Sequence, residues 1–122
     1  IRNLSEYNFL LASDERSVFF DITGELDDMD LKDCLSLMLV LNELIVNSIK
    51  YVERKELVIK IYFQQTVKAT EIRYSDNGSG FMQINQQECA GFGMRMIQIM
   101  LKQINAVMSF KEDYLLILKS KS

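Results

Sequence analysis

The chain has 122 residues, of which 48% are hydrophobic and 25% are charged, and its formal net charge is −3. This length is enough for one domain with one hydrophobic core, and the composition excludes a disordered chain. The sequence has no basic run, so we expect no nucleic-acid partner. Asn42 and Glu43 interrupt the longest apolar stretch, so we also expect no membrane contact by this domain.

The side chains available for chemistry are limited, because the chain has no His and its two Cys are Cys34 and Cys89. The missing His excludes Ser-His and Cys-His catalytic pairs and argues against a zinc site. The two Cys form no CxxC motif and are typical of reduced thiols in a cytosolic protein. We therefore expect a cytoplasmic location, with a parent protein that could be membrane-anchored. Since the first residue is not Met, we expect a piece of a longer chain.

The first half of the chain is predicted to contain two helices and two strands. Apolar residues at helical spacing predict a short helix over residues 1–12. Residues 17–23 are predicted to form a strand, and an acidic turn at 27–30 leads into a long helix over 31–52. Alternating apolar residues predict a strand over 57–63.

The second half is predicted to add three strands and one helix. Strand 70–76 ends in a glycine turn at 77–80, and a helix follows over 92–105. Strands at 106–111 and 114–119 close the chain as a hairpin. Helices on one face of a mixed, mostly antiparallel sheet form an α/β two-layer sandwich, which is the predicted fold class.

The central helix carries a polar stripe on a surface that is otherwise apolar. Aliphatic residues cover most of its helical wheel, which predicts a helix that is buried nearly all round. The exceptions are Ser36, Glu43, Asn47 and Lys50. One interpretation is a solvent face on which Glu43 and Lys50 pair loosely. The other is a Mg²⁺-phosphate site, because Mg²⁺ prefers oxygen ligands and Lys binds phosphate as a point charge.

Asp76 ends the strand over 70–76 and is followed by Asn-Gly-Ser-Gly. Strand parity puts Asp76 on the same inward face as Ile72 and Tyr74. A carboxylate there can accept a hydrogen bond from a ligand amine, and Gly78 and Gly80 would allow a ligand to approach the backbone closely. A hairpin turn after a strand would explain the same residues.

Gly91-Phe92-Gly93 opens the predicted helix over 92–105. A glycine pair at a helix N-terminus can cradle phosphate through free N–H groups and the helix dipole. A plain glycine-rich entry into a helix is the alternative. Residues 81–91 have no regular period, and we expect them to be the least ordered internal segment without a ligand.

Three ordered segments, NELIVNSIKY (42–51), DNGSGF (76–81) and GFGMRMIQIMLKQ (91–103), resemble the motifs of the GHKL or Bergerat-fold ATPases. The resemblance is closest to the ATP-binding catalytic domain of bacterial sensor histidine kinases. It implies the Bergerat ATP-binding fold over residues 16–122, with residues 1–15 as an N-terminal connecting segment.

The resemblance also implies a role for each matching residue. Asn47 would coordinate Mg²⁺, and Glu43 would polarise the Mg²⁺ shell or the attacking group. Lys50 would touch phosphate, and Tyr51 would line the nucleoside side. Asp76 would bind the adenine amine.

The glycine-rich segments would surround the rest of the nucleotide. Gly78 and Gly80 would let the base approach, and residues 81–90 would form a lid over the site. Gly91 and Gly93 would hinge the lid and cradle the triphosphate. The remaining residues of the implied nucleotide-binding set are Phe81, Phe92 and Met94.

The function implied by the resemblance is the binding of Mg-ATP and donation of its γ-phosphate to a histidine on a separate, upstream dimerisation domain. A response regulator would be an indirect partner, and the isolated domain would have little activity. One alternative is an anti-sigma type serine kinase. Another is a non-catalytic nucleotide-binding interaction module, which is favoured because residues 81–90 contain no Lys or Arg.

Overall fold

The computed structural model describes residues 2–12, 16–26, 29–78 and 92–120. These residues form six strands and two helices. In chain order they are β1 (Arg2–Ala12), β2 (Ser17–Leu26), α1 (Leu31–Tyr51), β3 (Glu56–Gln65), β4 (Ala69–Asp76), α2 (Phe92–Gln103), β5 (Ala106–Phe110) and β6 (Leu115–Ser120).

The six strands form one mixed sheet with the order β1-β2-β3-β4-β6-β5. β2 and β3 pair in parallel, and the other neighbours pair antiparallel. A parallel pair needs a long crossover, which here contains α1. The predicted α/β two-layer sandwich, with a mostly antiparallel sheet, is therefore confirmed.

The hydrophobic core lies between the sheet and the two helices, and its strand residues alternate along each strand. The sheet contributes buried side chains mainly from the central strands β3, β4 and β6: Leu57, Ile59, Ile61, Phe63, Ile72, Tyr74, Leu115 and Ile117. The helices contribute Leu37, Val40, Leu44, Ile97 and Leu101, and Ile104 follows directly after α2. In this packing, α1 contacts α2 and lies over the central strand β3.

The predicted helix over residues 1–12 is wrong, because Arg2–Ala12 form the strand β1. β1 pairs with β2 along its length, from Arg2 opposite Leu26 to Ala12 opposite Ser17. The apolar spacing of this segment fits a helix, but its pairing with the next strand in the chain decides the structure. The sheet thus reaches into the predicted connecting segment 1–15, and the domain boundary at residue 16 stays a prediction.

Gly24 marks an irregularity in β2 that no other residue type would fit. The pairing register between β1 and β2 shifts opposite this position, between Leu4 and Glu6. Gly24 has a φ of 114°, and a Cβ built on it would lie 1.9 Å from the carbonyl oxygen of Phe63. A glycine at a bulge allows β2 to approach β3 this closely.

The expectation that the central helix is buried nearly all round is also wrong. Its buried residues are Leu37, Val40, Leu44 and Ser48, all on one side. Large apolar residues on the opposite side are exposed, with Leu31 at 74% and Met38 at 61%. In a two-layer sandwich one face of a helix covers the sheet and the other remains outside, so a wheel that is apolar all round does not imply full burial.

By length and composition alone, α1 would also be long and apolar enough to cross a membrane. Asn42 and Glu43 therefore do not exclude a span in the way the sequence suggested. In the structure one face of the helix packs against α2 and the sheet. The absence of membrane contact stays an expectation.

The sheet face away from the helices carries charged and aromatic side chains. The guanidinium of Arg73 lies between two tyrosine rings, 5.6 Å from the centroid of Tyr62 and 5.2 Å from that of Tyr114. Its Nε also donates to Glu71 Oε2 at 2.6 Å. These residues line or border an open cleft of about 360 Å³ that includes Lys60. The cleft is on the opposite face of the sheet from Asp76.

Candidate functional site

The end of β4 meets the buried face of α1 at Asp76. Ile72 and Tyr74 on the same strand are completely buried, and Asp76 is partly buried. Ser48 Oγ donates a hydrogen bond to Asp76 Oδ2 at 2.6 Å. The backbone N–H of Gly78 donates to Asp76 Oδ1 at 2.9 Å. The inward direction predicted for Asp76 is thus confirmed, and both oxygens of its carboxylate are held.

Tyr74 lies directly behind the hydroxyl of Ser48. The two hydroxyl oxygens are 2.7 Å apart, and the Tyr74 hydroxyl also donates to the carbonyl oxygen of Leu44 at 3.0 Å. Burial raises the pKa of the Tyr74 phenol, the negative charge of Asp76 adds to the rise, and the hydrogen bond with Ser48 opposes it. Tyr74 is therefore a neutral hydrogen-bonding group at physiological pH.

Asn77 fixes the chain just beyond Asp76. Its side-chain Nδ2 donates to the carbonyl oxygen of Glu56, and its Oδ1 accepts from the N–H of Val58, both at 2.9 Å. Its backbone N–H donates to the carbonyl oxygen of Val58 at 3.0 Å. Asn77 thus prolongs the pairing of β4 with β3 past the end of the strand. Sequence reasoning gave this residue no role.

Gly78 lies against the end of α1. A Cβ on this residue would be 2.7 Å from Val52 Cγ2 and 3.1 Å from Asp76 Oδ1. A larger residue would therefore push against a branched side chain and against the carboxylate. The absence of a side chain at Gly78 lets its backbone lie close to Val52 and Asp76. That it also lets a base approach stays a prediction.

Arg16 ties the start of β2 to the end of α1, and the sequence gave no local signal for it. Its guanidinium donates to three carbonyl oxygens, those of Ile49 at 2.6 Å, Arg54 at 3.1 Å, and Val52. Positive charge and N–H donors at a helix C-terminus satisfy carbonyls that have no partner within the helix. Arg16 therefore holds the end of α1, where Val52 contacts Gly78.

The predicted polar stripe lies beside Ser48 on α1. Glu43 and Asn47 are partly buried, and Lys50 is exposed. The ammonium of Lys50 lies 5.1 Å from the ring centroid of Tyr51, which is a cation–π contact. Asn47 is one residue, or about 100° of helix, from Ser48.

The described part of the chain contains no group of three or more His, Cys, Asp or Glu side chains that could hold a metal ion. The stripe supplies one carboxylate and one amide oxygen at i and i+4. This donor set fits Mg²⁺, which is commonly held by one or two side chains together with water and substrate phosphates.

The remaining predicted site residues lie mostly outside the described residues. These are Gly80, Phe81 and Gly91, together with the predicted lid over 81–90 and its expected mobility. Helix α2 begins at Phe92, so Gly93 and Met94 stand in its first turn. The predicted helix after the glycine pair is confirmed, and its role as a phosphate cradle stays a prediction.

Ser48 is a further site residue that the sequence analysis missed. The available signal was its position in the buried series of α1, where it follows Leu37, Val40 and Leu44 at helical spacing. A hydroxyl in such a series needs a hydrogen-bond partner from another element. The partner, Asp76, is 28 residues further along the chain.

No protein-family model and no curated protein matches the sequence. Solved structures do match it. The histidine kinase domain of the Erythrobacter litoralis EL346 blue-light activated histidine kinase aligns with a TM-score of 0.67 at 11% identity. The ATP-binding domain of PrrB from Mycobacterium tuberculosis aligns with a TM-score of 0.61 at 18% identity. The chain has the fold of a histidine kinase ATP-binding domain.

The resemblance seen in the sequence is therefore confirmed as a likeness of fold. The alignment covers 88% of this chain and 52% of the Erythrobacter histidine kinase domain. A second EL346 structure aligns over 84% of this chain and 36% of its own length, with a TM-score of 0.65 and 12% identity. The PrrB alignment covers 83% of this chain and 80% of that domain. The chain thus spans about half or less of the two EL346 structures.

Proposed function

We propose that the chain binds Mg-ATP and donates its γ-phosphate to a histidine on a separate dimerisation domain, as the ATP-binding catalytic domain of a sensor histidine kinase. The observation that carries this proposal is the Asp76 carboxylate, which is partly buried and held by one donor on each oxygen. The likeness of fold to the PrrB ATP-binding domain supports it.

Asp76 would read the nucleotide base. An ionised carboxylate accepts hydrogen bonds at about four lone-pair positions, and Ser48 and Gly78 occupy one on each oxygen. The remaining positions can accept the exocyclic amine of adenine. A base with a carbonyl at that place would bring two acceptors together, and this arrangement leaves a polar group unpaired.

The polar stripe of α1 would hold the other end of the nucleotide. In the proposal, Asn47 binds the Mg²⁺, Glu43 orients its water shell or the attacking group, and the exposed Lys50 reaches a phosphate oxygen. When bound, Mg²⁺ would neutralise charge on the phosphates. Gly93 in the first turn of α2, and Gly91 two residues earlier in the chain, would cradle the triphosphate. Tyr51 would line the nucleoside side.

The phosphate acceptor must come from outside this sequence, since the chain has no His. The proposal therefore includes a dimerisation domain as partner, a response regulator as the later recipient of the phosphate, and a cytoplasmic location. The absence of Lys and Arg from residues 81–90 favours a second candidate, a nucleotide-binding module without phosphotransfer. That candidate shares the nucleotide site and differs in the transfer step.

The proposal is tested by calorimetric titration of ATP and GTP, each with Mg²⁺, into the chain and its Asp76→Asn variant. We expect one ATP site with a Kd of roughly micromolar to millimolar and weaker binding of GTP. Asp76→Asn should weaken ATP binding by roughly 1.5–3 kcal/mol, the range for a hydrogen bond to a charged group. Asp113→Asn, on the opposite face of the sheet, is the matched control.

A chain that gives no heat and no NMR shift near Asp76 at millimolar ATP would contradict the proposal. If ATP binds, transfer of labelled γ-phosphate to a supplied histidine domain separates the two candidates. Label on the histidine supports the kinase, and binding without transfer supports the nucleotide-binding module.

A further inference from the structure

Ser48 is a buried hydroxyl in an otherwise aliphatic series. Of the four buried residues of α1, Leu37, Val40 and Leu44 are aliphatic, and Ser48 is 4% exposed. Burial of an unpaired hydroxyl is unfavourable, so its hydrogen bonds determine whether serine is tolerated there. Ser48 makes these bonds with Asp76 and Tyr74.

Counting protons gives the direction of these bonds. Ser48 has one hydroxyl proton, and the ionised carboxylate of Asp76 has none to give, so the contact of 2.6 Å requires Ser48 to donate. That distance is typical of a short, charge-assisted O–H···O⁻ bond. The Ser48 oxygen can then act only as an acceptor toward Tyr74, 2.7 Å away. Tyr74 is neutral and has a single phenol proton, which the Ser48 oxygen shares with the carbonyl oxygen of Leu44, 3.0 Å from the phenol oxygen.

Two donors from different elements hold the Asp76 carboxylate. Oδ2 accepts from Ser48 on α1, and Oδ1 accepts from the backbone of Gly78 after β4. Together they oppose rotation of the carboxylate about its Cβ–Cγ bond. Without the Ser48 hydroxyl, Oδ2 would lose its donor, and the carboxylate could turn away from the ligand or take up water.

We propose that Ser48, supported by Tyr74, is a positioning residue that aims the Asp76 carboxylate at the base and sets the preference for a base that carries an amine. The inference rests on the proposed ATP-binding function and assigns base selectivity to this pair of hydroxyls. A carboxylate held in one orientation favours a base that carries an amine donor. A carboxylate that can rotate discriminates less between bases with and without that donor.

The test measures the coupling between the Ser48 hydroxyl and the amine of the ligand. Calorimetry compares ADP with purine riboside 5′-diphosphate, which has hydrogen in place of the amine, on the whole chain and on Ser48→Ala. The quantity compared is the ratio of the Kd of purine riboside 5′-diphosphate to the Kd of ADP, which measures how much the amine improves affinity. We expect this ratio to be about tenfold smaller in Ser48→Ala than in the unmodified chain. Tyr74→Phe should lower the same ratio by a smaller factor.

Two further variants make the comparison decisive. Ser75→Ala is the control, because Ser75 precedes Asp76 but lies on the opposite face of the sheet, and it should keep the unmodified ratio. Where Ser48→Ala does not fold, Ser48→Cys replaces it, since a thiol of similar size is a weaker donor. A role in folding alone would lower affinity for both ligands equally and leave the ratio unchanged.

The outcomes separate this inference from the proposed function. If the unmodified chain does not bind ADP, the proposed function fails and the inference fails with it. If ADP binds, Asp76→Asn abolishes the effect of the amine, and Ser48→Ala or Ser48→Cys keeps the unmodified ratio, then only the positioning role of Ser48 is overturned. A reduced ratio in the Ser48 variant supports it.

Discussion

At the residue scale, the proposed site has a base-binding end and a metal-binding end, and α1 contributes one residue to each. Ser48 faces Asp76 at the end of β4, and Asn47 lies next to it on the polar stripe. A residue that recognises the base and one that recognises the metal should respond differently when they are changed. Asp76 and Asn47 therefore provide independent tests of the two ends.

Asn47→Ala should remove the effect of Mg²⁺ without removing the base site. The amide oxygen of Asn47 is the proposed Mg²⁺ ligand, so its loss should weaken binding of ATP in Mg²⁺ by about tenfold or more. Adenosine, which needs no metal, should bind with nearly unchanged affinity. Titration of adenosine and ATP, with and without Mg²⁺, measures both effects.

Asn42→Ala is the control for this prediction, since Asn42 is an exposed amide on the same helix, about 140° away from Asn47 around its axis. It should leave all four titrations unchanged. If Asn47→Ala lost adenosine affinity while Asp76→Asn lost only the dependence on Mg²⁺, the two ends of the site would be assigned in reverse.

The sequence predicted the direction of a side chain correctly where that direction follows from the alternation of residues along a single strand. Strand parity gave the inward direction of Asp76, because Ile72 and Tyr74 precede it on the same face. The pairing of Ser48 with Asp76 and the three carbonyls held by Arg16 depend on contacts between residues 28 to 38 positions apart. No local pattern contains such contacts, so both residues were missed.

At the element scale, the end of α1 depends on a residue outside the helix. Arg16 bonds the carbonyls of Ile49 and Val52 and that of Arg54, while Val52 closes the helix and contacts Gly78. Loss of the guanidinium would leave these carbonyls to water and loosen the link between β2 and α1. The consequence should be a loss of stability.

Arg16→Ala should lower the free energy of unfolding by about 1–3 kcal/mol, the scale for hydrogen bonds made by a charged donor. Urea denaturation followed by circular dichroism measures this change. Arg54→Ala removes the same charge from an exposed neighbouring position while keeping the backbone carbonyl, and it should cost much less. Equal losses in the two variants would show that Arg16 acts through its charge alone.

Elements with a clear local period were predicted nearly to their ends. β3 and β4 alternate in burial along their length, as the sequence suggested. α2 ends at Gln103, two residues before the predicted end, because Asn105 has a φ of 57° that a helix cannot continue. The strand β1 was missed because its pairing with β2 outweighs its helical spacing. The exposed face of α1 was missed because its burial depends on which other segments cover the helix.

At the scale of the whole molecule, β1 lies at one edge of the sheet, whereas the candidate site lies at the end of the central strand β4. The order β1-β2-β3-β4 puts two strands between β1 and Asp76. Among the residues whose burial the structure describes, which begin at Arg16, the buried core extends from Val18 to Ile117. The sheet and the site should therefore respond differently to loss of β1.

Removal of residues 1–12 tests the predicted domain boundary at residue 16. We expect the shortened chain to fold, because the core of β2 to β6 and both helices remains. It should be less stable, since the ladder between β1 and β2 is lost, and β2 becomes an exposed edge that favours self-association. ADP affinity should stay within about twofold, as expected for a distant change.

Three measurements on the shortened and complete chains decide the outcome. Urea denaturation gives the free energy of unfolding, sedimentation at several concentrations gives the self-association, and calorimetry gives the ADP affinity. A shortened chain that is unfolded would show that the domain begins at β1 rather than at residue 16. An unchanged free energy of unfolding would show instead that β1 adds nothing to the fold, although it pairs with β2 along its whole length.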